Sequence, residues 1–154
     1  MNNIINVALI GCGRVAGHHA RSIKDIPGLA RLVSVCDIVD ERRNELGEAH
    51  NVPTFSNYFE MLDKHPEIDV VSIITPSGMH YEHASDVIDN YKKHVIIEKP
   101  MFMTLGQGKE LKHKAKNSGV EVFPVFQYRF NKAVQKIRQT RNNNELGKIF
   151  LATV

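Results

Sequence analysis

Ile4-Ile5-Asn6-Val7-Ala8-Leu9-Ile10 runs directly into Gly11-Cys12-Gly13-Arg14-Val15-Ala16-Gly17, and this junction decides the fold. The first seven residues form a nearly continuous apolar run, as expected of a strand buried on both faces of a parallel sheet. The run empties into a glycine turn, after which residues 14–25 read as a helix ended by Pro27-Gly28. Gly11 suits a tight turn, Gly13 leaves room for backbone to approach a pyrophosphate, and Ala16 is the small third member of a G-x-G-x-x-A pattern. Arg14 and Val15 fill the positions between, where the helix begins to aim its free N–H groups and positive dipole end at phosphate.

Outward from this unit, apolar runs and helical patterns keep alternating. Leu32–Cys36 is a second strand, and residues 40–50 are helical, with Asp40 as the expected N-cap and Asn51-Val52-Pro53 as a stop. A short strand at Thr54-Phe55 and a helix over 57–64 follow. Val70–Ile74 is the next clear strand, then a helix over 79–91, a strand over His94–Ile97, and a helix over 104–117 that stops at Asn117-Ser118-Gly119. Glu121–Phe126 supplies a sixth strand and 130–141 a last helix. Six strands alternating with helices imply right-handed crossovers and an α/β doubly wound parallel sheet, the Rossmann dinucleotide-binding fold.

Composition agrees and excludes other classes. A 42% hydrophobic and 24% charged chain of 154 residues is ordinary for one globular domain. The formal charge of +3 is small, and no basic run exceeds two residues (Arg42-Arg43, Lys92-Lys93), so nucleic acid is not an expected partner. No stretch approaches ~18 apolar residues, so no membrane span is expected. Two cysteines are too few for a disulfide scaffold, and a cytoplasmic location is the expectation.

Asp37 closes the second strand 20 residues after Gly17, where a carboxylate can accept hydrogen bonds from ribose hydroxyls. The same carboxylate would repel the 2′-phosphate of NADP, so NAD is the expected cofactor and NADP the second choice. Arg42 and Arg43 stand against that preference, since either could approach a phosphate from the next helix.

Ligands of an open parallel sheet bind outside the carboxyl ends of its strands. Two of those ends are distinctive here: Thr75-Pro76-Ser77-Gly78-Met79-His80 and Glu98-Lys99-Pro100. Together with Gly11-x-Gly13-x-x-Ala16, Asp37 and Gln127-Tyr128-Arg129-Phe130-Asn131, they resemble the Gfo/Idh/MocA oxidoreductases, which act on sugars, inositols and sugar nucleotides with NAD or NADP. The resemblance covers the whole chain but only the N-terminal half of a typical member.

That resemblance implies a role for each matching residue. Lys99 would be the catalytic residue, near the nicotinamide and the substrate hydroxyl, assisting proton transfer or holding the carbonyl oxygen. Glu98 would orient the cofactor ribose or the lysine, and a cis Lys99–Pro100 peptide is expected. Thr75, Pro76 and His80 would line the cofactor side of the cleft, and Gln127, at the end of strand six, would lie near the nicotinamide. The stretch from Gln127 onward, with Lys132, Lys136 and Arg138, is similar to members that oxidise the 3-hydroxyl of UDP-linked N-acetylated amino sugars. The family's second α/β domain usually carries an Asp-x-x-x-His pair that has no counterpart here. Residues 1–147 are therefore expected to be the dinucleotide-binding domain, and 148–154 the first strand of a substrate domain missing from the chain. The longer protein would be a homo-oligomer with a sugar or nucleotide-sugar substrate. A non-catalytic NAD-binding module, or a fragment that only binds cofactor, is the alternative.

Other features read more plainly. His80 and His83 have the i, i+3 spacing of a metal pair without an evident third ligand, so no metal is expected and His83 reads as an exposed helix residue. His18 and His19 follow the glycine turn, where either could touch substrate or pyrophosphate, and read as surface positions of the first helix. Cys12 and Cys36 read as small buried thiols.

Overall fold

A computed structural model describes residues 4–151. Six strands, β1 (Ile5–Ile10), β2 (Ala30–Cys36), β3 (Thr54–Phe55), β4 (Val70–Ile73), β5 (His94–Ile97) and β6 (Val122–Pro124), form one sheet in the order β3-β2-β1-β4-β5-β6. Every pairing is parallel. This is the doubly wound order that reverses direction between β1 and β4, and the crevice at that reversal is where such sheets bind ligands. The expected fold class is the observed one.

Alternation along the strands divides the core into two layers. Ala8, Ile10, Val71, Ile73, Val95 and Ile97 face the layer built with α3 (Tyr58–Lys64), α4 (His80–Asp86) and α5 (Leu105–Ser118). Val7, Leu9 and Val35 face the layer built with α1 (Ala16–Lys24) and α2 (Asp40–His50), through Ala16, Ala20, Ile23 and Leu46. Leu9, Ile73 and Ile97 have no exposed surface. Each such side chain contributes on the order of 2 kcal/mol through its removal from water.

Coverage is uneven on the second layer. The helices α1 and α2 cover β1 and β2, while Val70, Ser72, Ile96, Phe123 and Val125 line an open groove of about 830 Å³ along β4, β5 and β6. Phe123 is half exposed there. The last helix, α6 (Lys132–Asn142), contributes no buried residue.

Several local expectations shift. The helix expected over 79–91 is α4 followed by a π turn, Val87–Tyr91. Asp40 does not cap α2: Val39 holds the N-cap position, and its N–H donates to Asp37 Oδ1 at 2.8 Å. Asp40 lies in the first turn instead, paired at 2.5 Å with Arg43. Lys148–Leu151 take no strand conformation, and Ala152–Val154, the rest of the run expected to open a second domain, lie outside the described residues. No helix among the described residues is long and apolar enough to cross a membrane.

Candidate functional site

The β1–α1 turn is shaped for close approach from outside. Gly11 has φ +100°, and a Cβ there would stand 2.8 Å from the Ile74 backbone, so only glycine lets β1 and β4 end this close together. A Cβ on Gly13 would meet nothing within 4 Å, so the space above it is open. Val15 stands at the N-cap of α1 and makes no capping bond, whereas α3, α5 and α6 are capped by Asn57, Thr104 and Asn131. The start of α1 therefore offers N–H groups without a side-chain acceptor, the arrangement that receives a phosphate. Arg14 is exposed beside it.

Asp37 is tied into the same turn. Its Oδ2 accepts from Cys12 N–H at 2.7 Å while Oδ1 accepts from Val39 N–H, so the carboxylate is held at the mouth of the crevice with lone pairs to spare. Arg43, one of the two arginines that could have favoured a 2′-phosphate, is engaged elsewhere: it pairs with Asp40 and donates to the Asp37 carbonyl at 3.3 Å. Arg42 lies with Arg14 and Arg21 in a groove between α1 and α2.

The same carboxylate acts on the thiols beneath it. Burial, and then the charge of Asp37, push Cys12 and Cys36 up to about 12. Both thiols keep their protons in the fold at pH values where an unfolded chain, with thiols near 9.0, loses them. The stability that these two thiols contribute is therefore fully present below pH 9 and is lost as pH rises toward 12. We expect urea midpoints to fall across that window, and iodoacetamide at pH 7.5 to label both cysteines only in denaturant. Rapid labelling of the native protein would contradict the assigned environment.

On the other side of the switch point, the strand ends are laced together. Thr75 Oγ1 is 2.9 Å from His83 Nδ1, and the buried His80 places Nε2 2.7 Å from the Thr75 carbonyl and Nδ1 2.7 Å from the Pro100 carbonyl. His80 thus ties the β4 loop to the β5 loop and has no ring nitrogen left for the cleft it was expected to line. Its ring points inward because α4 and the π turn after it pack Ala84, Val87 and Ile88 on the same side. His83, expected to be exposed, is buried too, and burial holds its imidazole below the usual histidine range. Among the described residues, no group of three or more His, Cys, Asp or Glu is placed to hold a metal. Pro76, Lys99 and Gln127 are exposed around the crevice, and the Lys99–Pro100 peptide is cis. Gln127 sits just beyond β6, in a short turn over Gln127–Phe130 rather than in the strand, and lines the open groove with Glu98.

His19, which reads as a surface position of the first helix, is turned inward instead, its side chain only 15% exposed. Its Nδ1 is 3.0 Å from Ser72 Oγ and its Nε2 3.2 Å from Glu98 Oε1, while Glu98 Oε2 accepts from Lys99 N–H at 3.0 Å. The signal was present in the spacing: His19 follows Ala16 by three residues and precedes Ile23 by four, so it shares their inward face.

The residues present fit a dinucleotide: an uncapped helix start, an open Gly13 and a fixed Asp37 meet at the β1–α1 turn. The comparisons with known proteins agree. The model of an oxidoreductase family with an NAD-binding Rossmann fold matches residues 5–126. Glucose-6-phosphate 3-dehydrogenase of Bacillus subtilis is 32% identical over 143 residues, 93% of this chain and 39% of that protein. scyllo-Inositol 2-dehydrogenase (NAD(+)) of the same organism is 29% identical over 150 residues, 96% of this chain and 43% of that protein. The crystal structure of the WlbA dehydrogenase from Bordetella pertussis, in complex with NADH and UDP-GlcNAcA, superposes with a TM-score of 0.91 at 30% identity. That match covers 96% of this chain and 45% of the other. The chain thus spans about two fifths of the length of these curated relatives.

Proposed function

From the premise that the chain belongs to the Gfo/Idh/MocA oxidoreductase family, with its NAD-binding Rossmann fold, we propose that it is the cofactor half of an NAD-dependent sugar dehydrogenase. In this reading residues 1–147 are the dinucleotide-binding domain, and 148–154 begin a substrate domain in a longer, homo-oligomeric cytoplasmic protein. The substrate is a sugar or nucleotide sugar, and oxidation of the 3-hydroxyl of a UDP-linked N-acetylated amino sugar is the preferred reaction. The resemblance of WlbA, crystallised with UDP-GlcNAcA, supports that preference.

A bound nicotinamide would supply the hydride chemistry, and this chain the cofactor wall of the cleft around it. Gly11, Gly13, Arg14, Val15 and Ala16 cradle the pyrophosphate through backbone and helix dipole. Asp37 receives the adenosine ribose hydroxyls, Thr75 and Pro76 form the wall at β4, and Glu98 and Gln127 border the nicotinamide. Lys99 as the neutral amine takes the substrate hydroxyl proton and becomes the ammonium, which holds the carbonyl oxygen as it forms and returns the proton in the reverse direction. His80 holds the two walls at their spacing.

The observation that carries this reading is Asp37, whose carboxylate is bonded to the glycine turn at Cys12. It also carries the choice of NAD. Asp37→Ala should weaken NADH binding about tenfold, through lost charge-assisted hydrogen bonds, and weaken NADPH binding less. Fluorescence titration of the unmodified chain with both cofactors tests it. NADPH binding as tight as NADH binding would overturn the assignment. Turnover of the longer protein on a panel of sugars, inositols and UDP-sugars decides between an enzyme and a binding module without chemistry.

A further inference from the structure

We propose that His19 is a positioning residue: it holds Glu98 and, through Glu98, sets the backbone of Lys99 at the mouth of the cleft. The proposal rests on the role given above to Lys99. Three separate elements meet at the His19 ring. It stands on α1, Ser72 on β4 and Glu98 at the end of β5, at sequence separations of 53 and 79 residues. The His19 and Glu98 side chains are only 15% and 13% exposed, and Ser72 is buried.

Donor and acceptor chemistry gives the contacts a direction. The Glu98 carboxylate only accepts, so His19 Nε2 carries a proton toward Oε1. In the neutral ring Nδ1 then accepts from the Ser72 hydroxyl, which fixes the tautomer from behind. Lys99 N–H donates to the other carboxylate oxygen, Oε2. A single carboxylate thereby joins the rigid α1–β4 corner to the exposed loop that presents Lys99. Without His19, a carboxylate in this shielded place would turn toward water, and the Lys99 N–H would lose its acceptor. The groove beside the ring is open, and Gln127 lines it with Glu98, so the network borders the place where a ring and a hydroxyl-bearing carbon would meet.

His19 could instead be a staple that only docks α1 on the sheet. Three variants of the longer protein separate the two. His19→Gln keeps an amide N–H near the place of Nε2, His19→Asn reaches Ser72 but falls short of Glu98, and His19→Phe loses both. We expect His19→Gln to retain kcat within about threefold, and His19→Asn and His19→Phe to lose about tenfold or more in kcat with KM values for NAD and sugar little changed. His19→Asn combined with Glu98→Gln should lose no more than Glu98→Gln alone. Equal losses in all three variants, or losses that track melting temperature and KM, would overturn the positioning role.

A second readout is independent of turnover. In ¹⁵N spectra of the 154-residue chain, the Lys99 amide resonance should move in His19→Asn and stay in His19→Gln. An unmoved resonance in both overturns the proposal. A longer protein that turns over no sugar at all overturns the enzyme reading instead, while the spectra still decide whether His19 sets Lys99.

Discussion

Replacing Lys99 with methionine in the longer protein is expected to lower kcat by about two orders of magnitude or more while NADH still binds within about threefold of normal, the pattern of a lost acid–base group. The reason lies in the division of the site. The glycine turn and Asp37 lie on the β1 and β2 ends, and neither is tied directly to the Lys99 side chain. The ammonium is exposed and its loop is fixed by Glu98 and His80, so methionine, similar in length, removes the charge without disturbing the ties. Single-turnover measurement of NADH formation, beside a fluorescence titration, separates the two effects. Near-normal turnover would remove Lys99 from the mechanism. On the reading proposed above, the same experiment run on the 154-residue chain should show cofactor binding without sugar oxidation, because residues 1–147 form the cofactor wall and the substrate domain the wall that excludes water and holds the sugar.

The second large effect is expected at Gly11. An alanine there carries a Cβ into the Ile74 carbonyl at 2.8 Å and into Thr75 N at 2.9 Å, and it must do so at φ +100°. Neither neighbour is a flexible side chain that can swing aside. Ile74 N–H is bonded to the Ile10 carbonyl at 2.8 Å, and Gly11 N–H to the Cys36 carbonyl at 2.7 Å, so the clash falls on three strand ends at once. Backbone strain and overpacking together should cost on the order of 3 kcal/mol, a large part of the stability of a domain this size. Urea denaturation reads that loss directly. NADH affinity should fall with it, since the turn proposed to receive the pyrophosphate and the loop that begins at Thr75 are forced apart. Gly13→Ala gives the contrast: with nothing within 4 Å of its Cβ, it should leave stability nearly unchanged and lose cofactor affinity alone.

Much of this site was legible in the chain. The apolar runs, the G-x-G-x-x-A turn and the acid at Asp37 are local patterns, and their physical causes (strand burial, tight-turn geometry, a helix start aimed at phosphate) act within a few dozen residues. The parallel order β3-β2-β1-β4-β5-β6 follows from that alternation and from the handedness of the crossovers. The strand-end positions of Thr75 and Lys99 follow from where the apolar runs stop.

Tertiary structure decided the rest, because it depends on which side chains from distant elements share a space. That His80 turns both ring nitrogens to the carbonyls of Thr75 and Pro100, rather than toward the cleft, follows from α4 packing on the sheet. Arg43 is drawn to Asp40 and to the Asp37 carbonyl because α2 starts at Asp40, close behind the acid. His19 meets Ser72 and Glu98 only because α1, packed over β1 and β2, carries its ring to the edge of the open groove along β4 and β5, closing gaps of 53 and 79 residues that no periodicity records. Local sequence sets which residues can carry the chemistry; the packing of α1 and α4 on the sheet sets which of them face the cleft and which hold the others in place.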